Sequence, residues 1–419
     1  MPPLDTIRAQ FPSLASPTVY LDNAGSSQVP RCVADAVHHY FLASYAQTGG
    51  SYTESLSAAD TVHDAHELMA RCANLPSWQH AILGASDSAL VRMLADAFAD
   101  SASHSSPAAA TRNQIIVNLN GHESNIGCWL RLAKLGFAIT PWHDLPVAGD
   151  AFVSSLKPLL SARTRLVVFP HVSNILGSVV NVRAIADLAH NAGARILVDG
   201  VAFAPHRTID LPALGADWYS WSTYKVLGPH AAVLAGTPDA MAEVTGPNHF
   251  FMPADAWPKK FELGGISHEA CAALLGIQPY LRLLAGEATP ASNELISRST
   301  IERAFGIMAA LELPLQHRLI TGLQSIRGIT IHGPTATDAS RVPTVAFTLA
   351  GRTSEQVATA ANARGLALRF GHFYSHRLVS TLLPGHDPDD GVIRISLVHY
   401  NTPAEVDAAL AFIAEQAAQ

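Results

Sequence analysis

The stretch RILVDGVAFAPHRTIDLPALGADWYSWSTYKVLGPH (195–230) holds two short apolar runs, RILVD (195–199) and DWYSW (217–221), joined by one crossover. Runs so uniformly apolar suit strands of a parallel sheet covered on both faces. The first run ends on Asp199, followed by Gly200, and the second leads past three hydroxyl residues to Lys225 before a Gly-Pro turn. In α/β proteins ligands gather at the carboxyl ends of such strands. Asp199 and Lys225 lie one βα unit apart, so they can face one pocket.

Working outward, the same texture recurs in QIIVN (114–118), GFAIT (136–140), RLVVF (165–169) and AAVLA (231–235), with a spacing that suits repeated βα units. SDSALVRMLADAF (86–98) puts Ala89, Leu90, Met93, Leu94, Ala97 and Phe98 on one helical stripe. RAIADLAHN (183–191) reads as a helix that stops near Gly193. After about 285 the polar GEATPASNELISRST (286–300) opens a long helical pattern reaching toward Ile320. A strand-like TVAFTLA (344–350), a helix over 353–364, an alternating VIRISLV (392–398) and a last helix follow. The expectation is an α/β chain with two domains. A large one with a mostly parallel sheet spans 20–290. A small α+β one spans 291–419, with residues 1–19 packing against it. SASHSSPAAA (101–110) reads as a surface loop, and no internal repeat is visible.

Composition excludes several classes. Across 419 residues, 48% are hydrophobic and 15% charged, which rules out a disordered chain. The formal net charge of −7 argues against a nucleic-acid partner. Cys32, Cys72, Cys128 and Cys271 form no C-x-x-C pair, which suggests a reducing compartment. No apolar run reaches the roughly 18–20 residues of a membrane span, and MPPLDTIRAQF lacks a signal-peptide core. A soluble, cytoplasmic protein is expected.

Lysine is scarce, and only Lys225 sits in an apolar strand-exit setting. Desolvation there lowers the amine's pKa and frees it to attack a carbonyl. The competing reading is a lysine snorkelling from a strand end. Asp199 could hold a protonated ring nitrogen or simply cap a helix. Gly84-Ala85-Ser86 opens the helix at 86–98, where free N–H groups attract an anion, although Ser86 is equally an N-cap and Asp87 would repel a phosphate unless it points away. His122 could stack on a flat ring or satisfy its loop. His63-x-x-His66 has no third ligand nearby, so no metal is expected.

Together these segments resemble the class V aminotransferase family of fold-type I pyridoxal-phosphate enzymes, most closely cysteine desulfurases, selenocysteine lyases and their desulfurase-like branch. The matching stretches are VYLDNAGSSQVP (19–30), HESNIGCW (122–129), RLVVFPHVSNILGSVV (165–180), 196–230, FELGGISHEA (261–270) and VIRISLVHYNTPAEVD (392–407). The resemblance implies pyridoxal 5'-phosphate as cofactor, bonded to Lys225, with Asp199 at its ring nitrogen and His122 stacked on it. It implies that Asn174 meets the phenolic oxygen, that Ala85, Ser86 and Ser222 hold the phosphate, and that Tyr224 lies against the cofactor. Arg394 is implied as the substrate carboxylate partner, with Arg369 and Asn23 also on the substrate side. An internal ion pair to an acid such as Asp390 is the competing reading of Arg394. A homodimer acting on a small amino acid follows from the same likeness.

The departures are specific. Ala202 replaces the glutamine three residues past the aspartate, Tyr224 the histidine before the lysine, and Gly265 the threonine that reaches a neighbouring subunit's phosphate. In RFGHFYSHRL (369–378), Tyr374 stands where the sulfur-accepting cysteine belongs. The implied activity is therefore a lyase, cleaving C–S or C–Se or expelling a carboxylate or sulfinate without a persulfide. Epimerisation of the isopenicillin N type, transamination, and a cofactor-binding protein that has lost activity are the alternatives.

Overall fold

The computed structural model describes residues 1–103, 112–288 and 294–418. Most of the expected 101–110 loop therefore lies outside the described residues, as does the 290/291 boundary. Residues 101–103 form the last turn of the helix Asp87–Ser103.

The strands in chain order begin with β1 (Val19–Tyr20), β2 (Ala81–Gly84), β3 (Gln114–Asn118), β4 (Ala138–Trp142) and β5 (Thr164–Pro170). They continue with β6 (Arg195–Asp199), β7 (Trp218–Ser222) and β8 (Ala232–Gly236). Seven of these form one sheet in the order β2-β8-β7-β6-β5-β3-β4. All its pairings are parallel except those of β8, which runs antiparallel to both β2 and β7. The AAVLA run was expected to join the parallel set. The link from Ser222 to Ala232 is instead a short turn, too short for the crossover a parallel neighbour needs.

Side-chain alternation along each central strand feeds two cores. Ile196 and Val198 of β6, with Val167 and Phe169 of β5, enter one cluster. Leu197, Leu166 and Val168 enter the other, against Leu90, Val91 and Leu94 of helix Asp87–Ser103. By the same period of two, Asp199, Ser220 and Ser222 fall on the side facing that helix. Register sets Pro170, Asp199 and Ser220 abreast at the strand ends.

The remaining strands are β9 (Ile329–His332), β10 (Thr344–Leu349), β11 (Leu366–Ala367), β12 (Arg369–Gly371) and β13 (Val392–Ser396). An antiparallel sheet orders them β12-β13-β10-β9, and β1 pairs in parallel with β11. Ile393 and Ile395 pack with Leu319, Val357 and Phe412 of the helices Arg298–Ser325, Ser354–Ala363 and Pro403–Ala417. Arg394 points the other way. At the N-terminus, Arg8 pairs with Glu405 at 3.0 Å, while the Phe11 ring lies 5.1 Å from Tyr280 and 4.8 Å from Tyr400. Among the described residues no helix is long and apolar enough to cross a membrane.

Candidate active site

A cleft at the strand ends is lined by Ser86, Asp87, His122, Asn174, Asp199, Ala202, Ser222, Tyr224 and Lys225, among others. Seven of the residues expected around a cofactor therefore meet in one place. Ala85 lies just outside, lining a neighbouring cavity with Gly84, His230 and Gly265.

Asp199 is 6% exposed. Its Oδ1 accepts from the Val201 N–H at 3.0 Å and its Oδ2 from Asn125 Nδ2 at 2.9 Å. Gly200 is required beside it, because an added Cβ would lie 1.9 Å from the Tyr219 ring. Burial raises the Asp199 pKa, and the nearby Asp87 carboxylate raises it further. Lys225 ends a one-turn 3₁₀ segment after β7. Burial, then the Arg394 charge, lower its pKa to about 8, against the opposing pull of Asp199 and Asp87. A substantial share of the amine is therefore neutral near physiological pH.

His122 precedes the 3₁₀ turn Glu123–Asn125, and its Nδ1 lies 2.7 Å from Ser124 Oγ. Burial and the Lys225 charge push its pKa down to about 4, so the ring is neutral. Ser86 Oγ accepts the Ala89 N–H at 3.2 Å, the N-cap role anticipated for it. Asp87, the feared phosphate repellent, turns inward to Asn125 instead. The Tyr224 ring stacks on His230 at 4.7 Å.

Asn174 is held by a loop from the small sheet. Its Nδ2 donates to the Phe373 carbonyl at 2.9 Å, and its Oδ1 accepts from Ser375 Oγ at 2.8 Å. Phe373 (φ 48°) and Tyr374 (φ 60°) are both left-handed, a conformation that costs roughly 1–3 kcal/mol per residue outside glycine. The Asn174 latch and a Glu123 N–H to Tyr374 carbonyl bond at 2.8 Å hold them there. The Tyr374 ring, 5.3 Å from His122, is largely exposed.

Arg394 is 2% exposed. Its guanidinium donates to Asp22 Oδ1 and to the Asn174 carbonyl, both at 3.2 Å, and stacks on Phe373 at 3.7 Å from the ring centroid. Asp390, the competing partner, instead accepts the Ser354 and Glu355 N–H groups at a helix start. Arg369 is exposed and pairs with Asp22. None of the three substrate-side residues, Arg394, Arg369 and Asn23, is among those lining the cleft; the Asn23 amide donates to the Ser396 carbonyl at 2.8 Å and accepts from Tyr400. Asp22 and Asn125 were not expected at the site, and Asp87 only as a repellent of phosphate. Asn125 and Asp22 stand inside the quoted stretches HESNIGCW and VYLDNAGSSQVP, where only His122 and Asn23 drew attention.

No cysteine lines the cleft. Cys128 and Cys271 are buried, and burial pushes the Cys72 and Cys128 thiols up to about 12. His66 Nε2 is committed to Glu262 at 2.8 Å. Among the described residues no group of three or more His, Cys, Asp or Glu is placed to hold a metal ion. A partly neutral lysine, a buried carboxylate, a neutral imidazole and hydroxyls at a helix start suit a ligand combining an aldehyde, a ring nitrogen and a phosphate.

The family model for aminotransferase class-V matches residues 19–247 and 298–409. An aminotransferase-like protein, FGM3, of Gibberella zeae is 38% identical over 96% of each chain. A cysteine desulfurase-like protein, ustD, of Aspergillus flavus is 30% identical over 97% of this chain and 88% of its own. A cysteine desulfurase structure from Thermococcus onnurineus superposes with a TM-score of 0.83 at 21% identity, covering 100% of this chain and 99% of the other, a likeness of fold. With both ends of the large sheet and the small sheet inside the match, the chain belongs to the class V aminotransferase family, in its cysteine desulfurase-like branch, and is a pyridoxal-phosphate-dependent enzyme.

Proposed function

We propose that the protein is a lyase that takes a cysteine-like amino acid and expels a group from it, by C–S or C–Se cleavage or by loss of a carboxylate or sulfinate, without a protein-bound persulfide. The observation that carries this is Tyr374, whose exposed ring lies 5.3 Å from that of cleft-lining His122, while no cysteine lines the cleft. A phenol is no soft nucleophile, so it cannot take sulfur as a thiolate does. When bound, pyridoxal phosphate supplies an electron sink for the pair left at the substrate Cα. Lys225 Nζ holds the cofactor and then carries the Cα proton, its lowered pKa leaving a lone pair available. Asp199 holds the ring nitrogen, Ser86 and Ser222 the phosphate, and neutral His122 covers the ring face. Arg394 orients the substrate carboxylate, with Phe373 shielding the guanidinium from water.

The same reading divides the chain at about 290 and pairs two copies, covering the exposed Phe250, Phe251 and Leu263. The test is a screen of cysteine, selenocysteine, cysteine sulfinate and acidic amino acids, with product mass spectrometry. Loss of a substituent from Cα or Cβ supports the lyase. Products that keep every substituent and change only the amino group or its configuration overturn it.

A further inference from the structure

Asn125 joins two buried carboxylates. Its Nδ2 donates one proton to Asp87 Oδ2 at 3.0 Å and the other to Asp199 Oδ2 at 2.9 Å. Both acids are 6% exposed, and Asp87 Oδ1 and Asn125 Oδ1 are buried with no hydrogen-bond partner. The groups facing the pair come from several elements. They are Lys225 and Tyr224 beyond β7, Tyr219 on β7, and Cys128 on the helix Gly127–Leu130. Of these only Lys225 can bear a positive charge, and its own burial favours the neutral amine. Two ionised carboxylates one amide apart, each 6% exposed and with at most one cation beside them, are costly. A single shared proton relieves this, as in other close carboxyl pairs.

We infer that Asp87 and Asp199, bridged by Asn125, hold one proton between them in the cofactor-free protein, and that Asp87 is the positioning residue that keeps this proton at Asp199 until the cofactor's ring nitrogen takes its place beside the carboxylate. This rests on the reading of the cleft that puts Asp199 at that nitrogen. Loading breaks the Asp199 O–H bond; the proton passes to the ring nitrogen where that arrives unprotonated and otherwise to the buffer. Asp199 is left as a carboxylate beside a ring N–H, and nothing is oxidised or reduced. A first-turn acid that merely complements the dipole of helix Asp87–Ser103 would leave the proton count untouched.

Calorimetric titration of the cofactor-free protein with pyridoxal 5'-phosphate at pH 7, in buffers of different ionisation heat, counts those protons. Relative to wild type, Asp87→Asn is expected to take up about one proton more from the buffer on binding, because Asp199 then starts ionised. Equal counts overturn the inference. Infrared difference spectra of the wild-type protein are a second measure that needs no variant. The carbonyl stretch of a protonated carboxyl should be present before loading and lost after it, and its persistence or absence throughout overturns the inference. Asp199→Asn separates the underlying reading. If that variant binds the cofactor with wild-type affinity and spectrum, Asp199 is not at the ring nitrogen, whatever Asp87 does.

Discussion

Asp22 and Arg394 form an ion pair at 3.2 Å although 372 residues separate them in the chain. The pair answers a problem set by sheet register. Arg394 on β13 lies directly opposite Arg369 on β12, and like charges facing each other across strands are destabilising. Asp22 takes a hydrogen bond from each guanidinium, so the three groups leave one net positive charge. Arg394 Nε remains buried and unpartnered.

Arg394→Lys removes the planar fork and keeps the charge. Amino-acid binding should weaken by roughly 1.5–3 kcal/mol, the range for a hydrogen bond to a charged group. Cofactor attachment should be normal, and decarboxylated amines should react no worse than with the parent. Asp22→Asn leaves the opposed arginines without their shared anion and should lower the melting temperature. Should spectral titration find amino-acid affinity intact in Arg394→Lys while the melting temperature falls, Arg394 is structural and exposed Arg369 is the carboxylate partner.

Only a neutral amine attacks the cofactor aldehyde, so the pKa of about 8 at Lys225 sets a pH profile. The rate of cofactor attachment should climb about tenfold per pH unit below 8, where the amine is still protonated, and level off above it. A solvated lysine would keep accelerating toward pH 10. Borohydride should then fix the cofactor on the Lys225 peptide. Label on Lys134, Lys157, Lys259 or Lys260 would refute the assignment. Asp199→Ala should bind cofactor less tightly and lose most turnover.

Gly200→Ala tests how the turn after β6 holds Asp199. The new methyl meets the Tyr219 ring at 1.9 Å. That ring is fully buried, with its hydroxyl 2.9 Å from His171 Nδ1. His171 stacks on Phe203 at 3.7 Å, and its burial lowers its pKa to about 3. Displacing Tyr219 should cost about 2–4 kcal/mol, from overpacking plus a lost buried hydrogen bond. Denaturant unfolding measures this, and a loss below about 1 kcal/mol would mean the turn simply shifts.

The eight strands expected from apolar runs lie within two residues of those runs, whereas the short strands β1, β2, β9, β11 and β12 were not read, being too brief to write a run of their own. Asp199 and Lys225 were readable together because both stand at the ends of adjacent strands close in sequence. The Arg394 partner was not. Periodicity reports the face a residue occupies, and Asp390 looked eligible only because it is near in sequence. The reversal of β8 hides in the length of its turn rather than in its apolar residues. Asp87 is an intermediate case. It precedes Leu90, Val91 and Leu94 by three, four and seven residues, which puts it on the buried face, yet its charge drew attention to phosphate repulsion instead.

Tyr374 gives the sharpest test of the chemistry. Its backbone is pinned in the left-handed region by the Asn174 latch and by the Glu123 N–H, so a replacement side chain there should still be presented beside His122. The wild-type protein given cysteine should accumulate no persulfide, and sulfur should leave as a free small molecule. The native thiols are poor acceptors, since burial holds Cys72 and Cys128 as thiols up to about pH 12. Tyr374→Cys restores an exposed thiol beside His122, and a persulfide should then form at position 374 and nowhere else. Mass spectrometry after alkylation reads both outcomes. A persulfide on any of the four native cysteines during wild-type turnover would place the sulfur acceptor elsewhere and overturn the persulfide-free route.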